Sequence, residues 1–134
     1  MIRYADDAAS VAALTAADLS PFFEGWPVPP SSDRRFAALR GADHVALAFD
    51  GGRLVGFATA LSDGALMSSL ALLEVVPSHR GRGIGSELVR RIGEATRGRY
   101  GLDVVCDDDV AGFYERVGFR RVAGMVVRRP DALP

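Results

Sequence analysis

Leu73-Glu74-Val75-Val76-Pro77-Ser78-His79-Arg80-Gly81-Arg82-Gly83-Ile84-Gly85-Ser86-Glu87-Leu88 is the stretch on which the fold turns. Its apolar beginning reads as the end of a strand, because Pro77 has no N–H to give a sheet ladder. Beyond the glycines, Ile84, Leu88, Ile92 and Ala95 recur at helical spacing, so about Gly83 to Thr96 forms an amphipathic helix. A helix start leaves about four backbone N–H groups unpartnered and carries partial positive charge, which suits an anion if nothing blocks its approach. Gly81, Gly83 and Gly85 remove the Cβ atoms that would block it, and Arg80 and Arg82 add charge. Arg80 through Ser86 therefore predicts a backbone cradle for a pyrophosphate. A tight turn alone would need the glycines but not the two arginines.

Upstream, Val45–Phe49 and Leu54–Ala60 read as a hairpin around Asp50-Gly51-Gly52-Arg53, and Leu66–Val76 as a third strand after Asp63-Gly64. Antiparallel strands thus precede the glycine loop. A dinucleotide-binding fold places its glycine turn after the first strand of a parallel sheet, so a nicotinamide site ranks low. Further upstream lie a short edge strand at Ile2–Tyr4, an alanine-rich helix over about Ala8–Phe23, a break at Gly25–Pro30, and a second helix capped by Ser31 or Ser32 that runs to Gly41. Downstream, Leu102–Cys106 is a strand parallel to its predecessor through the helical crossover, Val110–Arg116 is a short helix, and Phe119–Val127 is a last strand or bent pair. The expectation is one α/β domain over residues 1–134 with a mixed, mostly antiparallel sheet flanked by helices.

A chain of 134 residues, 49% hydrophobic, supports one sizeable core. Its formal charge of -1 gives no pull toward nucleic acid. The single cysteine, Cys106, forms no internal disulfide, the first residues lack a secretory pattern, and no apolar run reaches the roughly 20 residues a membrane span needs. These features predict a cytoplasmic protein without a membrane partner. All 16 basic residues are arginine, and lysine, asparagine and glutamine are absent, which excludes a lysine-bearing P-loop and any lysine Schiff base.

The quoted stretch closely resembles the acetyl-CoA-binding motif of the GNAT N-acetyltransferases: an arginine or glutamine, two residues, glycine, one residue, then glycine or alanine, supplied here by Arg80, Gly83 and Gly85. Asp107 through Ala111-Gly112-Phe113-Tyr114-Glu115-Arg116-Val117-Gly118-Phe119 is similar to a second signature, a short helix bearing a tyrosine and ending in Gly-Phe. The resemblance implies acetyl-CoA as donor, an amine as acceptor, and two strands, Leu66–Val76 and Leu102–Cys106, splayed to admit the pantetheine arm. It further implies a bulge that frees an N–H near Val75 or Val76 for the thioester carbonyl. Asp107 stands where many members carry asparagine, which alters that contact.

An amine attacks only when neutral, yet a lysine-like amine has a pKa of about 10.4, so a base is needed. Glu74, among apolar neighbours that disfavour its charged form, is the candidate base or ammonium site. A structural role would pair it with an arginine such as Arg80. Tyr114 is the candidate to protonate or hydrogen-bond the departing thiolate; the alternative is a core tyrosine beside Phe113. Phe22, Phe23, Glu24 and Trp26 come from the region that, by the same resemblance, walls the acceptor site, with Phe23 and Trp26 as the contacts. Asp107-Asp108-Asp109 suits a helix start better than a metal, Cys106 reads as strand packing, and His44 and His79 read as structural or solvated, so no metal site is expected. The predicted activity is direct acetyl transfer to a primary amine of a small molecule or peptide in a ternary complex. A non-catalytic acyl-CoA sensor is the alternative, and an exposed last strand could pair two copies into a homodimer.

Overall fold

The computed structural model describes all residues, 1–134. Strands β1 (Ile2–Ala5), β2 (His44–Asp50), β3 (Arg53–Ser62), β4 (Met67–Val75) and β5 (Gly101–Val104) lie in that order in one sheet. The first four are antiparallel neighbours and β5 runs parallel to β4. Helices α1 (Ala8–Ala12), α2 (Ala16–Leu19) and α3 (Ser32–Arg40) precede β2, α4 (Ile84–Ala95) makes the crossover, and α5 (Asp108–Arg116) follows β5. This is the mixed α/β sheet that the glycine loop and the hairpin together require. No helix is long and apolar enough to cross a membrane.

Two features of β4 open the sheet between it and the edge strand β5. Its pairing with β5 stops at Leu70 opposite Val104, while β4 itself continues to Val75, so the two strands part. On the other edge, Thr59 faces Leu72 and Ala60 faces Leu70, which leaves Ala71 without a partner: a bulge sits where the parting begins.

Helix α4 buries Ile84, Leu88, Val89 and Ile92 against the sheet. It comes so close to β3 that a Cβ at Gly56 would stand 3.1 Å from Leu88 Cδ1 and 3.3 Å from Ile84 Cγ2. Phe57, one residue on, points to the opposite face and meets Phe22, with ring centroids 5.0 Å apart. Outside the core, α4 carries guanidinium–carboxylate contacts from Glu87 to Arg90 (2.7 Å) and Arg91 (2.9 Å).

Three expectations are corrected. The alanine-rich stretch Ala8–Phe23 is two short helices because Thr15 starts a new one: its N–H donates to Asp18 Oδ2 (2.7 Å) and its hydroxyl accepts from Asp18 N (3.3 Å), a capping box that overrides alanine's propensity. Three helices, not two, therefore precede β2. Strand β5 ends at Val104, and Cys106 is exposed rather than packed in a strand. Phe119–Val127 forms no strand: Phe119 N–H still caps Tyr114 O, but the backbone from Arg120 to Arg128 makes no backbone hydrogen bond.

Candidate active site

At the start of α4, Gly81 and Gly83 hold φ of +74° and +82°, a left-handed backbone that other residues adopt at a cost of about 1–2 kcal/mol. A Cβ at either would meet nothing within 4 Å. The loop therefore opens onto solvent with its amides uncovered. Gly85 differs: its φ is not positive, and a Cβ there would lie 3.5 Å from the Phe113 ring, so it marks the approach of α5. Val75, Arg80, Gly81, Gly83, Ile84, Gly85, Ser86 and Phe113 contribute to a hollow of about 200 Å³ at this point. Arg80 turns its Nε to Val75 O (3.0 Å), which arches it over the loop, while Arg82 is exposed and has no ion pair. A larger hollow of about 320 Å³, between α1, α3, β2 and α4, lies away from these amides.

Sequence reasoning missed what braces the loop. His79 is buried, with Nε2 2.8 Å from Asp50 Oδ2 and Nδ1 2.8 Å from Ser78 Oγ. That bond ties the turn before α4 to the end of β2 and holds the Asp50 carboxyl below the usual carboxylate range. Its partners are 29 residues apart, so no local pattern could have announced it.

Val75 and Val76, named together as oxyanion candidates, separate in space. The Val76 N–H donates to Val55 O (2.9 Å) within the sheet and is not available. Strand alternation turns the Val75 N–H the other way, into the parting between β4 and β5.

Glu74 pairs with Phe57 across the strands and so faces away from α4. Its Oε1 accepts from the Phe23 N–H (2.7 Å), and its Oε2 is the one buried side-chain polar atom without a hydrogen-bond partner. Arg80 forms no ion pair with it. Burial pushes the carboxyl above its ordinary range, against the lowering influence of the Phe23 amide, the Trp26 indole, and the Arg80 and Arg35 guanidiniums. Phe23 itself holds φ at +66°, the only non-glycine residue to do so. Its ring lies 5.2 Å from that of Trp26 and under the Arg35 guanidinium, also at 5.2 Å. Phe22 and Phe23 are buried, so of the predicted wall only Trp26 and Glu24 keep open surface.

Tyr114, on α5, is buried between Phe113 and Phe119, with ring centroids 5.0 and 5.4 Å away. Burial, then the neighbouring Cys106, pushes its hydroxyl up to about 12, so it stays protonated at neutral pH. Asp107 is the exposed N-cap of α5, but its side chain makes no capping bond.

The glycine loop with its uncovered amides, the parted parallel strands and the half-buried Glu74 carboxyl lie around the end of β4. Residues 11–119 match the Acetyltransferase (GNAT) family, and the chain belongs to that family, which makes it an acyltransferase. It is 31% identical to glucosamine 6-phosphate N-acetyltransferase 1 of Oryza sativa subsp. japonica, over 79% of this chain and 78% of that one. A Deinococcus radiodurans R1 structure described as an acetyltransferase is 42% identical, with a TM-score of 0.89 over 97% of this chain and 90% of its own. Arabidopsis thaliana glucosamine-6-phosphate N-acetyltransferase shares the fold, with a TM-score of 0.71 at 15% identity over 96% of this chain and 98% of its own.

Proposed function

We propose that residues 1–134 act as one domain that transfers the acetyl group of acetyl-CoA directly to a primary amine of a small molecule or peptide. The observation that carries this reading is Glu74: a half-buried carboxylate on β4 beyond the point where β5 parts from it, held through one oxygen and unpartnered at the other.

Arg80, Gly81, Arg82, Gly83, Ile84, Gly85 and Ser86 would take the cofactor pyrophosphate through their amides and charges, with the Asp107 region alongside its arm. The thioester carbonyl would accept from the Val75 N–H. Glu74 Oε2 would receive the proton of the acceptor ammonium, while the carboxyl stays oriented by the Phe23 N–H and the amine is bounded by Trp26, with the buried Phe23 ring behind it. As the tetrahedral intermediate collapses, its C–S bond breaks, the electron pair leaves on sulfur, and the second proton of the attacking nitrogen passes to solvent. A phenol at about 12 is a weaker acid than a thiol of about 8.5, so Tyr114 stabilises the thiolate by donating a hydrogen bond rather than by surrendering its proton. The acceptor is the partner this reaction needs, and the named activity of the rice relative makes glucosamine 6-phosphate the first amine to try. We place the reaction in the cytoplasm, in keeping with a lone exposed thiol.

Calorimetric titration of acetyl-CoA into wild type and Gly83→Glu, followed by thiol release across an amine panel, tests the reading. Binding that the substitution abolishes, with turnover lost in Glu74→Gln, is the expected result. Binding without turnover on any amine would reduce the domain to a sensor, and no binding would remove the anion site.

A further inference from the structure

The N–H groups of Gly81, Arg82 and Gly83 find no backbone acceptor, and those of Ile84, Gly85 and Ser86 open α4, where no intrahelical partner exists. A run of successive amides is thus free. The hydrogen bonds that shape the turn before it are short-range: the His79 N–H reaches Val76 O, the Arg80 N–H reaches Pro77 O, and Arg80 Nε reaches Val75 O. None of them fixes the loop against the rest of the sheet.

The His79 side chain supplies that tie. Its ring is buried and lines the hollow at the loop. Its Nε2 lies 2.8 Å from Oδ2 of Asp50, the last residue of β2, and β3 stands between β2 and β4. An ionised carboxylate can only accept, so Nε2 carries a proton, and Nδ1 is left to meet the Ser78 hydroxyl at 2.8 Å. Packing alone would be served by an apolar side chain here. A buried imidazole bonded at both nitrogens is held at a set angle, and with it the backbone of residue 79, from which the glycine loop departs. The loop's own glycines have no side chain with which to hold it.

We propose that Ser78, His79 and Asp50 are positioning residues for the donor: they hold the free amides in the arrangement that receives the pyrophosphate before the donor arrives. They act through the backbone rather than by contact with the phosphates, so they govern donor affinity and not the chemical step. This role rests on the acetyl-CoA reading of the loop. The Asp50 carboxyl is kept low first by its bond to His79 and, among weaker influences, by the charge of Arg82, so its own charge lies within reach of the anion site.

That closeness gives the test a sign. By charge alone, removing a carboxylate beside an anion site tightens anion binding. Positioning requires the reverse. In calorimetric titration of acetyl-CoA into the full chain, Asp50→Ala should bind roughly tenfold more weakly than wild type, and His79→Phe should match it. Asp50→Asn loses the charge but keeps an oxygen that accepts from Nε2, and should bind at least as tightly as wild type. Thr15→Ala, which removes the α2 capping box and lowers the thermal midpoint, should leave the affinity unchanged. Asp50→Ala binding as tightly as wild type, or more tightly, would overturn the proposal. So would an Asp50→Asn no tighter than Asp50→Ala, or a loss in Thr15→Ala as large as in Asp50→Ala. No binding by the wild type would instead remove the acetyl-CoA reading, and this role with it.

Discussion

Phe23 keeps a strained backbone, φ +66°, in the conformation that delivers its N–H to Glu74 at 2.7 Å. A strain of about 1–3 kcal/mol persists only where the surroundings impose it, here through Trp26, Phe57 and the Arg35 guanidinium. The folded protein keeps Glu74 protonated to a higher pH than the unfolded chain does, so ionising it lowers stability as pH climbs through the folded pKa. Glu74→Gln should therefore gain in stability relative to wild type as the pH rises through that range, by thermal unfolding, while losing about 10²–10⁴ in kcat. In wild type, kcat/KM should fall as pH drops through the raised carboxyl pKa, and that acidic limb should be missing in the variant. An unchanged profile would remove Glu74 from proton transfer.

Helix α4 depends on Glu87, whose carboxyl is pulled to about 2, first by its bond to Arg90 and then by Arg91. A depressed carboxyl pKa contributes stability above the unfolded value near 4.5, and that contribution is lost as pH falls toward 2. The gap in thermal midpoint between wild type and Glu87→Gln should accordingly be full at pH 6 and close across that window. This helix and its glycine loop are legible in the sequence because their signal is local: Ile84, Leu88 and Ile92 repeat at the helical period, and Gly83 must adopt a positive φ where the loop becomes helix. The two-helix break at Thr15 is equally local, but its Asp18 partner is hidden in an alanine run. Glu74 stands out as a carboxylate among apolar neighbours, whereas its hold on Phe23, 51 residues away, is a tertiary contact that no pattern encodes. For Val122–Val127, β-propensity is sound, but a strand exists only when something pairs with it.

At the scale of the whole molecule, apart from the His79 imidazole on Asp50, every basic side chain held by an acid, from Arg90 and Arg91 on α4 to Arg97 and Arg121, is a guanidinium. Prolonged incubation with acetyl-CoA, followed by peptide mass spectrometry, should find no acetylated side-chain amine among the 134 residues, whatever the pH or dose. Guanidinium groups stay protonated near neutrality and are poor nucleophiles. An enzyme that handles an activated acyl donor beside its own surface is exposed to modification by that donor. With no lysine in its ion pairs, this chain presents no side-chain amine for its own reaction to modify, and the charges that fasten α4 are beyond the reach of its chemistry.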